Sequence, residues 1–257
     1  MKNAARPARP RIHLLDELRG LSILLMVGHH FLFSLGYLFG VPFGREWFQR
    51  LGVLTPVFAG LFIFLCGLCC HLSHNNWLRG GELAGAAVLL SAVVWFVVPE
   101  QMIWFGILHC LAVCVLLFAL LRPLLRRVPA PVGFAVCALL FVLTYHVPLP
   151  EGGYFGLTAA WSVSVPPAWA AQPWLLPFGF SLLPMSDYFP LLPWGFLFLA
   201  GTFVGRYAAQ GRFPAWTMRR HLPPLAFIGR HTLLVYLLHQ PVICGALWLW
   251  FRLFPQA

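Results

Sequence analysis

Long apolar runs, each closed by a short stretch holding arginine, proline or glycine, dominate the chain from residue 17 onward. A helix needs about 20 apolar residues to cross the hydrocarbon core of a bilayer. The runs near 17–40, 51–72, 81–98, 101–121, 130–148, 189–208 and 229–253 approach that length. They predict an all-α, polytopic transmembrane helix bundle of about seven spans. The expected organisation is one transmembrane domain over 1–257, with 1–16 as a basic cytoplasmic tail and 149–188 as an outer loop. That loop is still apolar at WLLPFGF (174–180), so it is expected to lie on the membrane surface or to re-enter the bundle. Neither a solenoid-length repeat nor the paired halves of many transporters is visible.

Composition and charge fix the solvent and the orientation. Sixty per cent of residues are apolar and 9% are charged, against roughly 25% charged in a soluble domain. With the amino terminus inside, the inner side holds Lys2, Arg6, Arg9, Arg11, Arg79, Arg122, Arg126, Arg127, Arg206, Arg212, Arg219, Arg220 and Arg230. The outer side holds Arg45, Arg50 and Arg252, and Arg19 stands at the inner edge of the first span. Thirteen against three places the amino terminus in the cytoplasm and the carboxyl terminus outside. The first apolar run is too long for a cleavable leader and is expected to persist as a span. A net charge of +10 spread over membrane-flanking loops argues against a nucleic-acid partner. Cys66, Cys69, Cys70, Cys110, Cys114, Cys137 and Cys244 all lie in apolar segments, where cysteine packs as a small hydrophobe. Cys66, Cys69 and Cys70 have helical spacing that also suits a metal, but no matching Cys/His pair follows.

Ionisable groups inside apolar runs are costly and therefore informative. In the first span, Arg19 and His30 are about three turns apart and within roughly 20° around the helix, and Asp16 lies about 40° to the other side. Asp16, Arg19 and His30 thus form one polar stripe, with His30 roughly 16 Å deeper than Arg19. Snorkelling with an Asp16–Arg19 ion pair explains part of the stripe but not His30. His29 points about 100° away and is the weaker candidate. His109 and His239 fall mid-helix in later spans. Buried histidines can bind haem in pairs, relay protons or act as bases, and helix–helix hydrogen bonding is an equal alternative for His109. Asp187, beside Tyr188 and Trp194, either orients a sugar or base or simply marks an interfacial aromatic belt. Glu100 and Glu151 read as loop residues, and Glu82 as a helix-dipole partner.

Five segments carry a resemblance: LDELRGLSILLM (15–26) followed by His30, FIFLCG (62–67), FGILH (105–109), DYFPLLPW (187–194) and GRHTLLVYLLHQP (229–241). Together they resemble the heparan-alpha-glucosaminide N-acetyltransferase catalytic-domain family, in particular its small bacterial members. The resemblance implies a membrane acyltransferase in a bacterial cytoplasmic (inner) membrane. It would move an acetyl group from cytoplasmic acetyl-coenzyme A to a sugar or glycolipid on the outer side. In that reaction His30 would act as general base or transient acyl carrier and Arg19 would hold the donor near the inner mouth, with Asp16 and Asp187 as the further catalytic candidates read from the residues. Arg122, Arg126, Arg127, Arg219, Arg220 and Arg230 would pair the coenzyme's phosphates. His29, His109, His239 and Tyr236 complete the buried polar set. No metal or haem is expected. Membrane lipid and a glycan or lipid-linked sugar are the expected partners, with room for a homo-oligomer. Heparan itself is not carried over, since the chain is much shorter than the lysosomal enzyme. The competing reading is a non-enzymatic permease or envelope-assembly protein on the same scaffold.

Overall fold

The computed structural model describes residues 11–148, 153–180 and 187–254. The expectations for Lys2, Arg6, Arg9, Glu151 and the loop residues 149–152 and 181–186 lie outside the described residues.

The apolar runs form helices: α1 His13–Phe33, α2 Pro42–Leu51, α3 Thr55–Cys69, α4 Asn76–Val97, α5 Ile107–Leu125, α6 Ala130–Thr144, α7 Pro167–Ala170, α8 Leu191–Ala209, α9 Pro223–Arg230 and α10 Thr232–Leu253. A π turn, Ser34–Leu38, extends α1, and a 3-10 turn, Gly52–Leu54, joins α2 to α3. Among the described residues, five stretches are long and apolar enough to cross a membrane: His13–Leu38, Pro42–Cys69, Asn76–Val97, Ile107–Leu125 and Thr232–Leu253. The runs at 130–148 and 189–208 become the 15-residue α6 and the 19-residue α8, the latter with non-helical backbone at Leu192. Phe96 at 82% and Val53 at 76% exposure are examples of large apolar side chains turned outward, as befits a lipid-facing surface.

Boundaries differ from the apolar pattern where local chemistry intervenes. The fourth run begins with a 3-10 turn at Pro99–Gln101, and its helix starts only after the extended Gly106. The last run is broken at His231 into α9 and α10, so α9 begins earlier than expected, at Pro223. Proline suits a first turn because its missing N–H has no intrahelical partner there. α4 starts at Asn76 because the Asn75 side chain accepts from the Leu78 N–H at 3.1 Å.

The chain divides into two units, Met1–Phe62 with Gly211–Ala257, and Ile63–Gln210. In the first, α1 crosses α9 at two glycines. A Cβ on Gly20 would collide with the Leu225 carbonyl, and one on Gly229 with the Asp16 carbonyl. Small residues let helix backbones approach in this way where no water competes. Glu17, 4% exposed, ties the same crossing together. Its Oε1 accepts the backbone N–H groups of His221 at 2.7 Å and Leu222 at 2.9 Å, which lead into α9.

In the second unit the same device joins α3 to α8. A Cβ on Gly67 would meet the Phe198 carbonyl, and Cβ atoms on Gly201 and Gly205 would meet those of Phe64 and Leu68. Cys137, Ala200 and Phe203 form a buried cluster between α6 and α8. The outer-loop stretch contains an element that apolar periodicity did not reveal, an antiparallel hairpin of β1 Tyr154–Thr158 and β2 Trp161–Ser164. It hangs from the end of α6 through Tyr154 N–H to the His146 carbonyl at 3.2 Å, with the two rings stacked at 4.7 Å.

Candidate functional site

The first unit holds all three stripe residues, Asp16, Arg19 and His30. The Asp16 carboxylate is 4% exposed and clamped by two guanidiniums, Arg11 Nε at 2.7 Å and Arg19 Nη2. Asp16 and Arg19 thus make the expected ion pair, and Arg11 joins it. Deeper along α1, the His30 ring meets the His239 ring of α10 edge-on, 4.9 Å between centroids. His239 Nδ1 lies 2.6 Å from the Tyr236 carbonyl. A carbonyl only accepts, so Nδ1 carries the proton and, in the neutral ring, Nε2 holds the lone pair. That Nε2 is buried and has no hydrogen-bond partner. Tyr236 is buried with its ring 5.6 Å from that of His239.

Two neighbours that the sequence reading passed over complete this region. Gln240 donates through Nε2 to Oγ of the fully buried Ser34 at 2.9 Å, and its Oε1 is buried without a partner. His29 faces elsewhere, toward Thr55 Oγ1 at 3.2 Å and the Phe48 ring at 4.3 Å. Arg219, Arg220 and Arg230 are exposed, and Arg230 Nε reaches the Ala226 carbonyl at 3.2 Å.

The second unit holds the remaining candidates. His109 Nδ1 accepts the Gly106 N–H at 3.2 Å, so its Nε2 carries the proton toward Ser91 Oγ at 3.3 Å. Ser91 in turn donates to the Ile103 carbonyl at 2.8 Å. This chain caps α5 and ties it to α4, the helix–helix alternative weighed for His109. The Asp187 carboxylate packs against Gly106, where a Cβ would collide with it. It therefore sits at the positive end of α5. Tyr188 donates to the Leu176 carbonyl at 2.7 Å, and burial pushes its phenol above the usual range. Arg122 is half-buried, and Arg126 and Arg127 are exposed. Arg79 turns inward, its Nη2 2.9 Å from Cys66 Sγ and its Nη1 3.6 Å from Cys70 Sγ. No disulfide joins any of the seven cysteines, and no cluster suited to a metal ion occurs among the described residues.

The five similar segments sort into contacting sets. Segment 15–26 packs on 229–241 through Gly20 and Gly229, and His30 meets His239. FGILH joins DYFPLLPW through Asp187 on Gly106 and Phe189 N–H on the Phe105 carbonyl at 3.2 Å. FIFLCG packs on α8 through Gly67. Glu17 and Gly20 were visible in the first segment, but their role as the seat of α9 requires the fold.

No curated protein and no solved structure matches the chain. The family profile described as heparan-alpha-glucosaminide N-acetyltransferase, catalytic, matches residues 11–241, which takes in all of the second unit, most of the first and all five segments. The chain therefore belongs to the heparan-alpha-glucosaminide N-acetyltransferase catalytic family of membrane acetyltransferases.

Proposed function

We propose that this integral membrane protein transfers an acetyl group from cytoplasmic acetyl-coenzyme A to a sugar amine or hydroxyl presented on the outer side, with the His30–His239 pair as its base. The observation that carries the reading is the imidazole contact itself. His239 is fixed in one tautomer by the Tyr236 carbonyl, and its lone-pair nitrogen is buried without a partner. A neutral imidazole held this way suits proton abstraction near neutral pH.

The reaction balances without an added reagent. The acceptor nitrogen or oxygen bonds to the thioester carbonyl carbon while an imidazole takes its proton. The carbon–sulfur bond then breaks, and the coenzyme thiolate leaves and recovers the proton. The charged end of the stripe, Arg19 held by Asp16, supplies cationic character for a polyanionic donor at the mouth of the same helix. Arg122, Arg126, Arg127, Arg219, Arg220 and Arg230 are further candidates for its phosphates. A bacterial cytoplasmic membrane, with a glycan or lipid-linked sugar as acceptor, fits this chemistry.

The test uses membranes containing the full chain, labelled acetyl-coenzyme A and the acceptors native to those membranes. Transfer by the wild type, with loss of at least a hundredfold in His30→Ala and a smaller loss in Arg19→Ala, supports the reading. A wild type that neither binds nor consumes the donor, with both variants complementing a deletion, would leave the permease alternative standing.

A further inference from the structure

The second unit holds a cationic cluster that the proposed base does not use. α3 ends at Cys69, and His71 lies in the turn that follows, with its N–H on the Leu68 carbonyl at 3.4 Å. The His71 ring sits edge-on to Phe118 of α5 at 5.2 Å. Arg122 follows Phe118 by four residues and so shares its helix face. From the other side, Gly205 of α8 presses on the Leu68 carbonyl, which brings the next residue, Arg206, beside the same turn. Three elements thus deliver an imidazole and two guanidiniums to one place.

Each of these groups has a nitrogen that is buried and without a hydrogen-bond partner: His71 Nε2, Arg122 Nε and Arg206 Nε. Arg206 is held rigidly while that nitrogen stays unused. Its Nη1 donates to the Val128 carbonyl at 2.6 Å, its Nη2 donates to the Leu125 carbonyl, and the guanidinium lies 4.8 Å over the Phe203 ring. Among the described residues, none of these cationic groups is in an ion pair with a carboxylate: the ion pairs join Asp16 to Arg11 and Arg19, and Glu46 to Arg50. Burial, and then the facing charges of Arg122, Arg206 and Arg126, push the His71 imidazole down to about 4. Like charges gathered with unused donors are relieved by a bound anion. Three donors from three elements suit the several oxygens of a phosphate better than the two of a carboxylate.

We propose that His71, Arg122 and Arg206 form a binding site for a phosphate group, carried either by a soluble nucleotide-bearing acyl donor or by a lipid headgroup. The donor version rests on the acetyl-transfer reading, whereas the site itself does not.

The experiment uses the full chain in nanodiscs of zwitterionic lipid and follows its thermal unfolding midpoint. The probes are coenzyme A, phosphate-free pantetheine, and phosphatidylglycerol added to the disc. Coenzyme A or phosphatidylglycerol raises the wild-type midpoint, pantetheine does not, and apparent affinity falls tenfold or more in both Arg122→Gln and His71→Gln. Response to coenzyme A alone identifies the acyl donor as the source, and response to the lipid alone identifies the headgroup. If Arg122→Gln does not fold, His71→Gln in the turn carries the test. No response to either phosphate carrier, or wild-type affinity retained in the variants that fold, overturns the site. His30→Ala is expected to keep the response. Phosphate binding by a wild type that never transfers acetyl would end the transferase reading and leave this site intact.

Discussion

Replacing Glu17 by alanine removes one carboxylate oxygen that holds two backbone N–H groups, His221 at 2.7 Å and Leu222 at 2.9 Å. Hydrogen bonds to a charged group are worth about 1.5–3 kcal/mol each. His221 and Leu222 are themselves exposed, so water recovers part of the loss. A net cost of about 3 kcal/mol is therefore expected for Glu17→Ala. Glu17→Gln keeps a neutral oxygen in the same position and should cost about half as much, since charge-assisted bonds are roughly twice as strong as neutral ones. In a thermal-unfolding assay of the purified chain, the alanine variant is expected to fall by about 6–12 °C and the glutamine variant by about half that. Glu46→Ala, whose carboxylate is 55% exposed, serves as the control and should stay within about 1 kcal/mol of wild type. The loss also loosens the seat of α9, which leads into the helix carrying His239, so acetyl transfer should fall with stability. A neutral Glu17→Ala, or a glutamine variant as unstable as the alanine one, would refute the carboxylate's role as the clasp between α1 and α9.

Gly229→Ala drives a Cβ into the Asp16 carbonyl and should cost about 1–3 kcal/mol in the same assay. Gly245→Ala, with nothing within 4 Å of the added Cβ, should be neutral or stabilising by up to about 1 kcal/mol. Asp16→Asn leaves Arg19 without its carboxylate and should cost up to about 3 kcal/mol, the lower end for a buried pair. Arg11→Ala, removing a side chain 54% exposed, should cost about 0–1 kcal/mol. His71 is held neutral down to about 4 in the folded chain against an ordinary 6.5, so below pH 6.5 the unfolded chain gains a proton that the folded chain does not. Stability should therefore fall as pH drops from about 6.5 toward 4, less steeply in His71→Gln and less steeply with coenzyme A bound, as unfolding midpoints across that range will show.

Much of the fold was legible because lipid imposes a simple rule: apolar runs must become helices. The helices at 81–98 and 229–253 were anticipated in place, but their ends moved where Asn75 caps α4 and where His231 breaks the chain before α10. The β1–β2 hairpin escaped because a single alternating strand pair among apolar loop residues leaves a weak periodic signal. For the site, angular position along one helix aligned Asp16, Arg19 and His30, all of which lie on α1. Which histidine faces His30 depends on how α1 and α10 pack, and no single-helix pattern carries that information. Glu17 escaped for a related reason: its partners are more than 200 residues away, at His221 and Leu222.

The proposed function makes His30 and His239 one base in acetyl transfer. It is tested most directly by rates of transfer from labelled acetyl-coenzyme A in membranes carrying wild type, His30→Gln, His239→Gln and the double variant at matched protein levels. Groups that act as a unit give non-additive losses. Each single variant is expected to lose at least a hundredfold, and the double variant to be scarcely worse than either. Full activity in both single variants, or losses that multiply in the double, would contradict it.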